Sequence, residues 1–237
     1  MTSPKPKRQL AKLLRRYKRF LADVELSDGE TLTVHCPNPG RLLSVVEEGQ
    51  PALIRDNENP KRKLRWTLEA LKVHGTWVHV DTMASNGAVE TAILAGKIPE
   101  LDGYEGLRRE VPYGEKSRID LLLEDPEKGP CYVEVKTTTY LDDTVARFPD
   151  AVTARGLKHL KELQQLAESG TRAVCFFLVT RDDAQSFGPA AEIDPKWAAA
   201  YEEARAAGIE VIAYDSRVNA GSIELGVRLA IERPAEA

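Results

Sequence analysis

Cysteine is scarce in this chain. Cys36, Cys131 and Cys175 are three in 237 residues, an odd number at wide spacings. No disulfide framework or zinc motif fits that spacing, so three free, buried thiols are expected. The four histidines, His35, His74, His79 and His159, lack an H-E-x-x-H or comparable spacing, and a metal site would have to use oxygen. No apolar run approaches the ~20 residues of a membrane-spanning helix, and the basic N-terminus is not followed by the apolar segment of a signal peptide. These absences speak against a disulfide-stapled secreted domain and a helical membrane protein. They lead to the expectation of a cytoplasmic protein with no membrane partner.

One sign of charge does not dominate either. The net charge of −4 excludes a uniformly basic nucleic-acid binder, but it hides an asymmetry. Residues 1–82 hold 15 Lys and Arg against 10 Asp and Glu, a surplus of +5, whereas the remainder holds 18 against 27, or −9. Eight of the basic residues (Lys5, Lys7, Arg8, Lys12, Arg15, Arg16, Lys18, Arg19) precede position 20 with no acid among them. Such a face suits an anion.

The first residues, with Pro4 and Pro6 among lysines, read as a mobile arm, with order beginning near Leu10. Short strands over residues 15–26, 31–36, 52–55 and 76–80, separated by turns such as Ser27-Asp28-Gly29, suggest a small β-barrel, of which the OB-fold is the size-matched candidate. Residues 66–73 read as strand or helix. The segment 57–66, NENPKRKLRW, is a basic loop ending in an aromatic, suited to phosphates and stacked bases. It reads equally as a solvated loop beside a core tryptophan. Beyond residue 82 the pattern becomes helix (from Ser85 or Asn86 to Ala95), three strands, helix (from Asp150 or Thr153), strand, helix (opened by Asp194-Pro195), strand. That order predicts an α/β sheet with helices on both faces.

Residues 118–140 carry the chemistry. In RIDLLLE, Ile119, Leu121 and Leu123 alternate with Arg118, Asp120 and Glu124; in CYVEVKTTTY, Cys131, Val133 and Val135 alternate with Tyr132, Glu134 and Lys136. Asp125, Pro126, Gly129 and Pro130 supply a turn, so an antiparallel hairpin is expected. Centred on Glu127 or Lys128, it sets Asp120 opposite Glu134 or Lys136. Asp120 and Glu134 then offer hard oxygen ligands for Mg²⁺, and Lys136 can orient the attacking water of a phosphodiester hydrolysis. Glu90 on the preceding helix is a candidate third carboxylate, and Arg155, Lys158 and His159 could face the phosphate. Taken alone, Glu-x-Lys on a strand also reads as a solvated ion pair, Glu90 as a residue answering its helix dipole, and His159 as a solvent-facing one.

The blocks RRYKRFLADVEL from Arg15, TVHCPNPGRL from Thr33, NPKRKLRW from Asn59, SNGAVETAI from Ser85, SRIDLLLE from Ser117, CYVEVKTTTY from Cys131 and FPDAVTARGLKHLKEL from Phe148 resemble the sugar fermentation stimulation protein A family over almost the whole chain. The resemblance implies an OB-fold-like domain over residues 1–82. Residues 83–237 would then form a domain similar to the PD-(D/E)XK restriction-endonuclease-like nucleases. The first acid of that motif matches Asp120, its Glu-x-Lys matches Glu134 and Lys136, and the helix acid of many members matches Glu90; Ile119 stands where the motif has proline. The family further implies DNA binding and a regulatory role in sugar, notably maltose, metabolism.

The resulting expectation is a DNA-binding protein with a nuclease-like, Mg²⁺- or Mn²⁺-dependent phosphodiester-hydrolysing site. The alternative is a non-catalytic DNA-binding regulator that retains the nuclease fold. DNA ranks before RNA as the partner. The candidate nucleic-acid-binding residues are Arg15, Arg16, Lys18, Arg19, Arg41, Lys61, Arg62, Lys63, Trp66, Arg155, Lys158 and His159.

Overall fold

The computed structural model describes residues 6–113, 117–219 and 221–232. The expected arm, as far as Lys5, lies outside them. Order sets in earlier than Leu10, with β1 (Arg8–Tyr17), followed by β2 (Leu21–Glu25), β3 (Thr31–His35), β4 (Pro51–Asp56), β5 (Trp66–Val73) and β6 (Thr76–His79). The run 15–26, expected as one strand, is broken at Lys18 and Arg19, which both take positive φ and turn the chain back on itself. Strand order is β3-β2-β1-β4-β5-β6, and a β3–β5 pairing closes the sheet into a barrel. Residues 66–73, left open between strand and helix, form β5. Apolar side chains from each of β1–β5 fill the barrel: Leu13, Val24, Val34, Ile54, Leu68 and Leu71 are all buried.

The second unit starts with α1 (Ser85–Leu94) and continues through β7 (Gly106–Tyr113), β8 (Ser117–Glu124), β9 (Cys131–Thr138), β10 (Tyr140–Asp142), β11 (Val145–Phe148), α2 (Ala154–Glu168), β12 (Arg172–Val179), β13 (Ser186–Pro189), α3 (Pro195–Ala206), β14 (Glu210–Asn219), β15 (Ser222–Arg228) and β16 (Ala230–Ile231). Its main sheet runs β15-β14-β12-β9-β8-β7. The β7–β8–β9 and β14–β15 pairs are antiparallel, and β9–β12–β14 are parallel. One face packs on Val89, Ala92 and Ile93 of α1. The other packs on Leu160 and Leu163 of α2 and on Trp197, Tyr201 and Ala204 of α3. Thr153 caps α2 by accepting from the Gly156 N–H, and Asp194 caps α3 by accepting from the Trp197 N–H. A small sheet, β10-β11-β13-β16, and the edge strand β15 complete the unit; neither was expected. All three cysteines are free and buried. Among the described residues no helix is long and apolar enough to cross a membrane.

Barrel and α/β unit meet through the backbone. The His79 N–H donates to the Thr180 carbonyl at 2.9 Å, and the Thr180 hydroxyl donates to the His79 carbonyl at 2.7 Å. A second tie lies just before α2 in the chain, where the Leu42 N–H donates to Asp150 Oδ2 at 2.7 Å. Arg16 stiffens that loop by donating to the carbonyls of Asn38, Gly40 and Arg41. Any Cβ at Gly40 would run into the Asp150 carboxylate. Gly40→Ala should therefore cost about 2 kcal/mol, the scale of overpacking a tight contact. Urea denaturation checks this: Asp150→Ala should absorb part of the loss in the double variant, whereas full additivity would show that the clash is not the cause.

Candidate functional site

The site lies where β8 and β9 part company. The hairpin register is Leu121↔Val133, Leu122↔Tyr132 and Leu123↔Cys131, and one further step sets Asp120 opposite Glu134. Backbone pairing stops there. The Val135 N–H, which a continued ladder would use, donates instead to Asp120 Oδ2 at 2.8 Å. Strand β8 also turns across this point. Leu121 and Leu123 pack on the α1 face as alternation requires, but Ile119 joins the core on the α2 and α3 face. The expected common face of Ile119, Leu121 and Leu123 is thus divided, and Asp120 sits at the division.

Asp120 Oδ1 accepts from Asn86 Nδ2, on the first turn of α1, at 2.8 Å. The Thr137 hydroxyl meets that of Ser85 at 2.7 Å and ties α1 to β9. On the facing strand Glu134 is buried, and its Oε1 takes two partners at 2.6 Å, Lys136 Nζ and His159 Nδ1. Its Oε2 is buried with no partner among the described residues.

The electrostatics follow from crowding. Burial, then the charge of Glu134, raise the Asp120 pKa to about 6. Burial pushes Glu134 the same way, but the Lys136 charge and the hydrogen bonds from His159 and Lys136 outweigh it and hold Glu134 below its usual value. For Lys136, burial is a downward push that the Glu134 carboxylate more than offsets, so the ammonium persists. Cys175, paired with Glu134 across β9 and β12, is pushed up to about 12, chiefly by burial, and is no thiolate nucleophile.

A half-buried and a buried carboxylate, the latter with an oxygen that no proton donor among the described residues reaches, fit a hard divalent cation. An unsatisfied buried acceptor otherwise costs roughly 1–3 kcal/mol. Among the described residues no group of three His, Cys, Asp or Glu is assembled, so the side chains supply two carboxylates, and water or substrate oxygens are left to complete a shell. Glu90 is not gathered into this cluster. It lies one turn beyond Asn86 and pairs with Arg109 at 3.3 Å.

The remaining candidates divide. Lys18, Arg19, Arg41, Lys61, Arg62 and Lys63 are exposed on barrel loops, and Arg155 and Lys158 are exposed on α2. Arg15 is exposed but paired with Asp23 at 2.8 Å. Arg16 turns inward to its loop carbonyls. Trp66 packs against the barrel core with Arg65 over its ring at 5.8 Å. His159 points into the site at Glu134 rather than outward.

Three polar groups of this region were not among the candidate site residues. Asn86 is one. Glu162, one turn along α2 from His159, accepts from the Ser117 hydroxyl at 2.5 Å. The Tyr113 hydroxyl is buried without a partner among the described residues; its pKa is raised by burial first, then by Glu134, Glu162 and Asp120. For two of them helical spacing was the available signal, since Asn86 stands four before Glu90 and Glu162 three after His159; Tyr113, at the end of β7, left none.

A closed five-stranded barrel followed by a mixed sheet sandwiched between helices defines an OB domain joined to an α/β domain. Family models carry this further: residues 14–80 match the SfsA N-terminal OB domain and residues 83–222 the Sugar fermentation stimulation protein RE domain. The chain belongs to the sugar fermentation stimulation protein (SfsA) family. It is 50% identical over 218 residues to the sugar fermentation stimulation protein homolog of Acidithiobacillus ferrooxidans, covering 92% of this chain and 94% of that one. With the homolog of Pseudomonas fluorescens strain Pf-5 it shares 50% over 230 residues, 95% and 97% of the two chains. Among solved structures, Pyrococcus furiosus SfsA in complex with Ca²⁺ is similar with a TM-score of 0.86 and 30% identity, covering 98% of this chain and 97% of that one.

Proposed function

We propose that this protein is a metal-dependent phosphodiesterase acting on DNA, with Asp120, Glu134 and Lys136 at its centre. The observation that carries the reading is the unpartnered, buried Glu134 Oε2 beside Asp120, whose charge the site resists. A relative of this fold was solved with Ca²⁺, which agrees with an oxygen-ligand site. Mg²⁺, or Mn²⁺ in its place, is the cation proposed, held by Asp120 and Glu134; when bound it would offset the charge developing on the phosphodiester and acidify a water.

The chain's own residues do the rest. Asn86 and the Val135 N–H fix the Asp120 carboxylate from two directions. Lys136 and His159 occupy the same oxygen of Glu134 and leave the other free. The Lys136 ammonium, kept charged in a dry site, stabilises negative charge on a phosphoryl oxygen or orients the attacking water. Arg155 and Lys158, exposed on the helix that carries His159, would meet the phosphates of the nucleic acid.

Incubating purified protein with single- and double-stranded DNA and RNA in Mg²⁺ or Mn²⁺ tests this. Cleavage should appear and should vanish in EDTA. DNA binding without cleavage under any condition would instead favour the non-catalytic regulator, which the family's name fits. The basic loop of residues 57–65 gives a separate expectation. Changing Lys61, Arg62 and Lys63 to Gln should weaken binding irrespective of sequence and reduce the slope of log K against log salt by roughly 2–3, about 0.7–0.9 for each phosphate no longer neutralised. An unchanged slope would remove the loop from the footprint.

A further inference from the structure

On the barrel, an aromatic ring stands in solvent where cations gather. Phe20 is 45% exposed, although most apolar side chains of the barrel are buried. Its ring is nearly parallel to that of His35, with centroids 6.5 Å apart and planes 22° apart. Lys18 and Arg19, immediately before it in the chain, hold positive φ of 49° and 62°, a conformation bulky residues rarely adopt, and both are exposed. Arg62, from the loop between β4 and β5, is close enough that its charge acts on the His35 ring. Burial first, and that charge second, lower the His35 pKa, so the imidazole is neutral at pH 7 and acts as an aromatic surface rather than a cation.

We infer that Phe20 and His35, together with the exposed cations Lys18 and Arg19 next to Phe20 in the chain and Arg62, form a platform on which an unpaired base of single-stranded DNA stacks while the cations hold its phosphates. A base in a duplex has both faces covered by its neighbours and cannot use an isolated ring; an unpaired base can, whatever its identity. The placement also serves the site proposed above, and the inference rests on that nucleic-acid reading. The Cys36 N–H donates to the Phe20 carbonyl, and from Cys36 the chain runs through exposed Arg41 to Leu42, which is bonded to Asp150 just before α2. The seven steps from His35 to Leu42 span at most roughly 25 Å. An extended strand can therefore lie on the platform and reach the helix that carries Arg155, Lys158 and His159.

Fluorescence anisotropy with the full-length protein in EDTA, where nothing is cut, tests the platform. Three probes of about a dozen nucleotides, within the reach of one OB fold, are compared: oligo-dT, the same backbone with abasic sites throughout, and a duplex. Phe20→Ala should weaken oligo-dT binding about tenfold and leave the abasic and duplex probes unchanged, and Phe20→Tyr should restore the wild-type value. Because the side chain is half exposed, an unchanged melting temperature should accompany the loss. Equal weakening of all three probes, or none, would overturn the platform while leaving the nucleic-acid reading in place. If the wild type binds no probe, both fall together.

Discussion

Asp120→Asn should make the metal-free protein more stable at neutral pH, by about 2–3 kcal/mol or roughly 5–10 °C in Tm for a chain of this size. The folded protein holds the Asp120 proton to a pKa of about 6, against an ordinary value of 3.8. Between those values the folded state binds more protons than the unfolded state, so stability falls as pH rises through the interval and the full loss is felt above pH 6. Asparagine removes the charge. Its carbonyl can still accept from Val135, and its amide can face a reoriented Asn86. The gain should be near zero at pH 4 and complete by pH 7, which thermal melts in EDTA at both values will show. A metal ion occupying the site stabilises the wild type by mass action, and the variant should lose most of that response. An Asp120→Asn protein that melts below wild type at pH 7 in EDTA would mean that its carboxylate is not crowded by Glu134.

The second large effect concerns Lys136. Lys136→Met and Glu134→Gln should each lower DNA cleavage by about 10³-fold, the scale of removing one preorganised charge or proton-transfer group from a dry site. DNA affinity in EDTA should barely move, because the exposed cations lie elsewhere. Both single variants should also melt early: each strands one member of a buried pair, which typically costs about 3–5 kcal/mol. The double variant removes both charges together, so it should recover much of the stability while remaining as inactive as either single variant. Cleavage persisting in both single variants would place the chemistry at other residues.

How far the sequence could be read depended on what each feature left in the local pattern. The hairpin around Asp120 was legible because a turn of Asp125, Pro126, Gly129 and Pro130 fixes its centre, and a two-residue period then sets what faces what. Capping is local chemistry, and it pointed to Asp194 and, beside Asp150, to Thr153, but the cap expected of Ser85 or Asn86 is not made, since Ala84 stands at the start of α1 with no side-chain hydrogen bond. Alternation failed at Ile119, since helices cover both faces of this sheet and the side chain is buried whichever way the strand turns. The strands β10, β11, β13 and β16 have two to four residues each, too short for any period to show. Helical spacing could place residues on a shared face, but which distant residue each one meets left no trace. Nothing local distinguishes a histidine that meets Glu134 from one in solvent, or shows that Asn86 rather than Glu90 reaches Asp120. The eight early basic residues read as one face, whereas barrel closure commits Arg8 to Glu69 and Arg16 to loop carbonyls.

The ties between barrel and α/β unit have a consequence for length. His79 and Thr180 bind each other in both directions, and Asp150 is bound to the Leu42 backbone, so the barrel cannot swing about a single linker. The separation between the barrel loops and Asp120 is then a constant of the molecule. A strand held at one and cut at the other would be measured off, as by a ruler, with fragments shorter than that span losing the grip before they lose access to the blade.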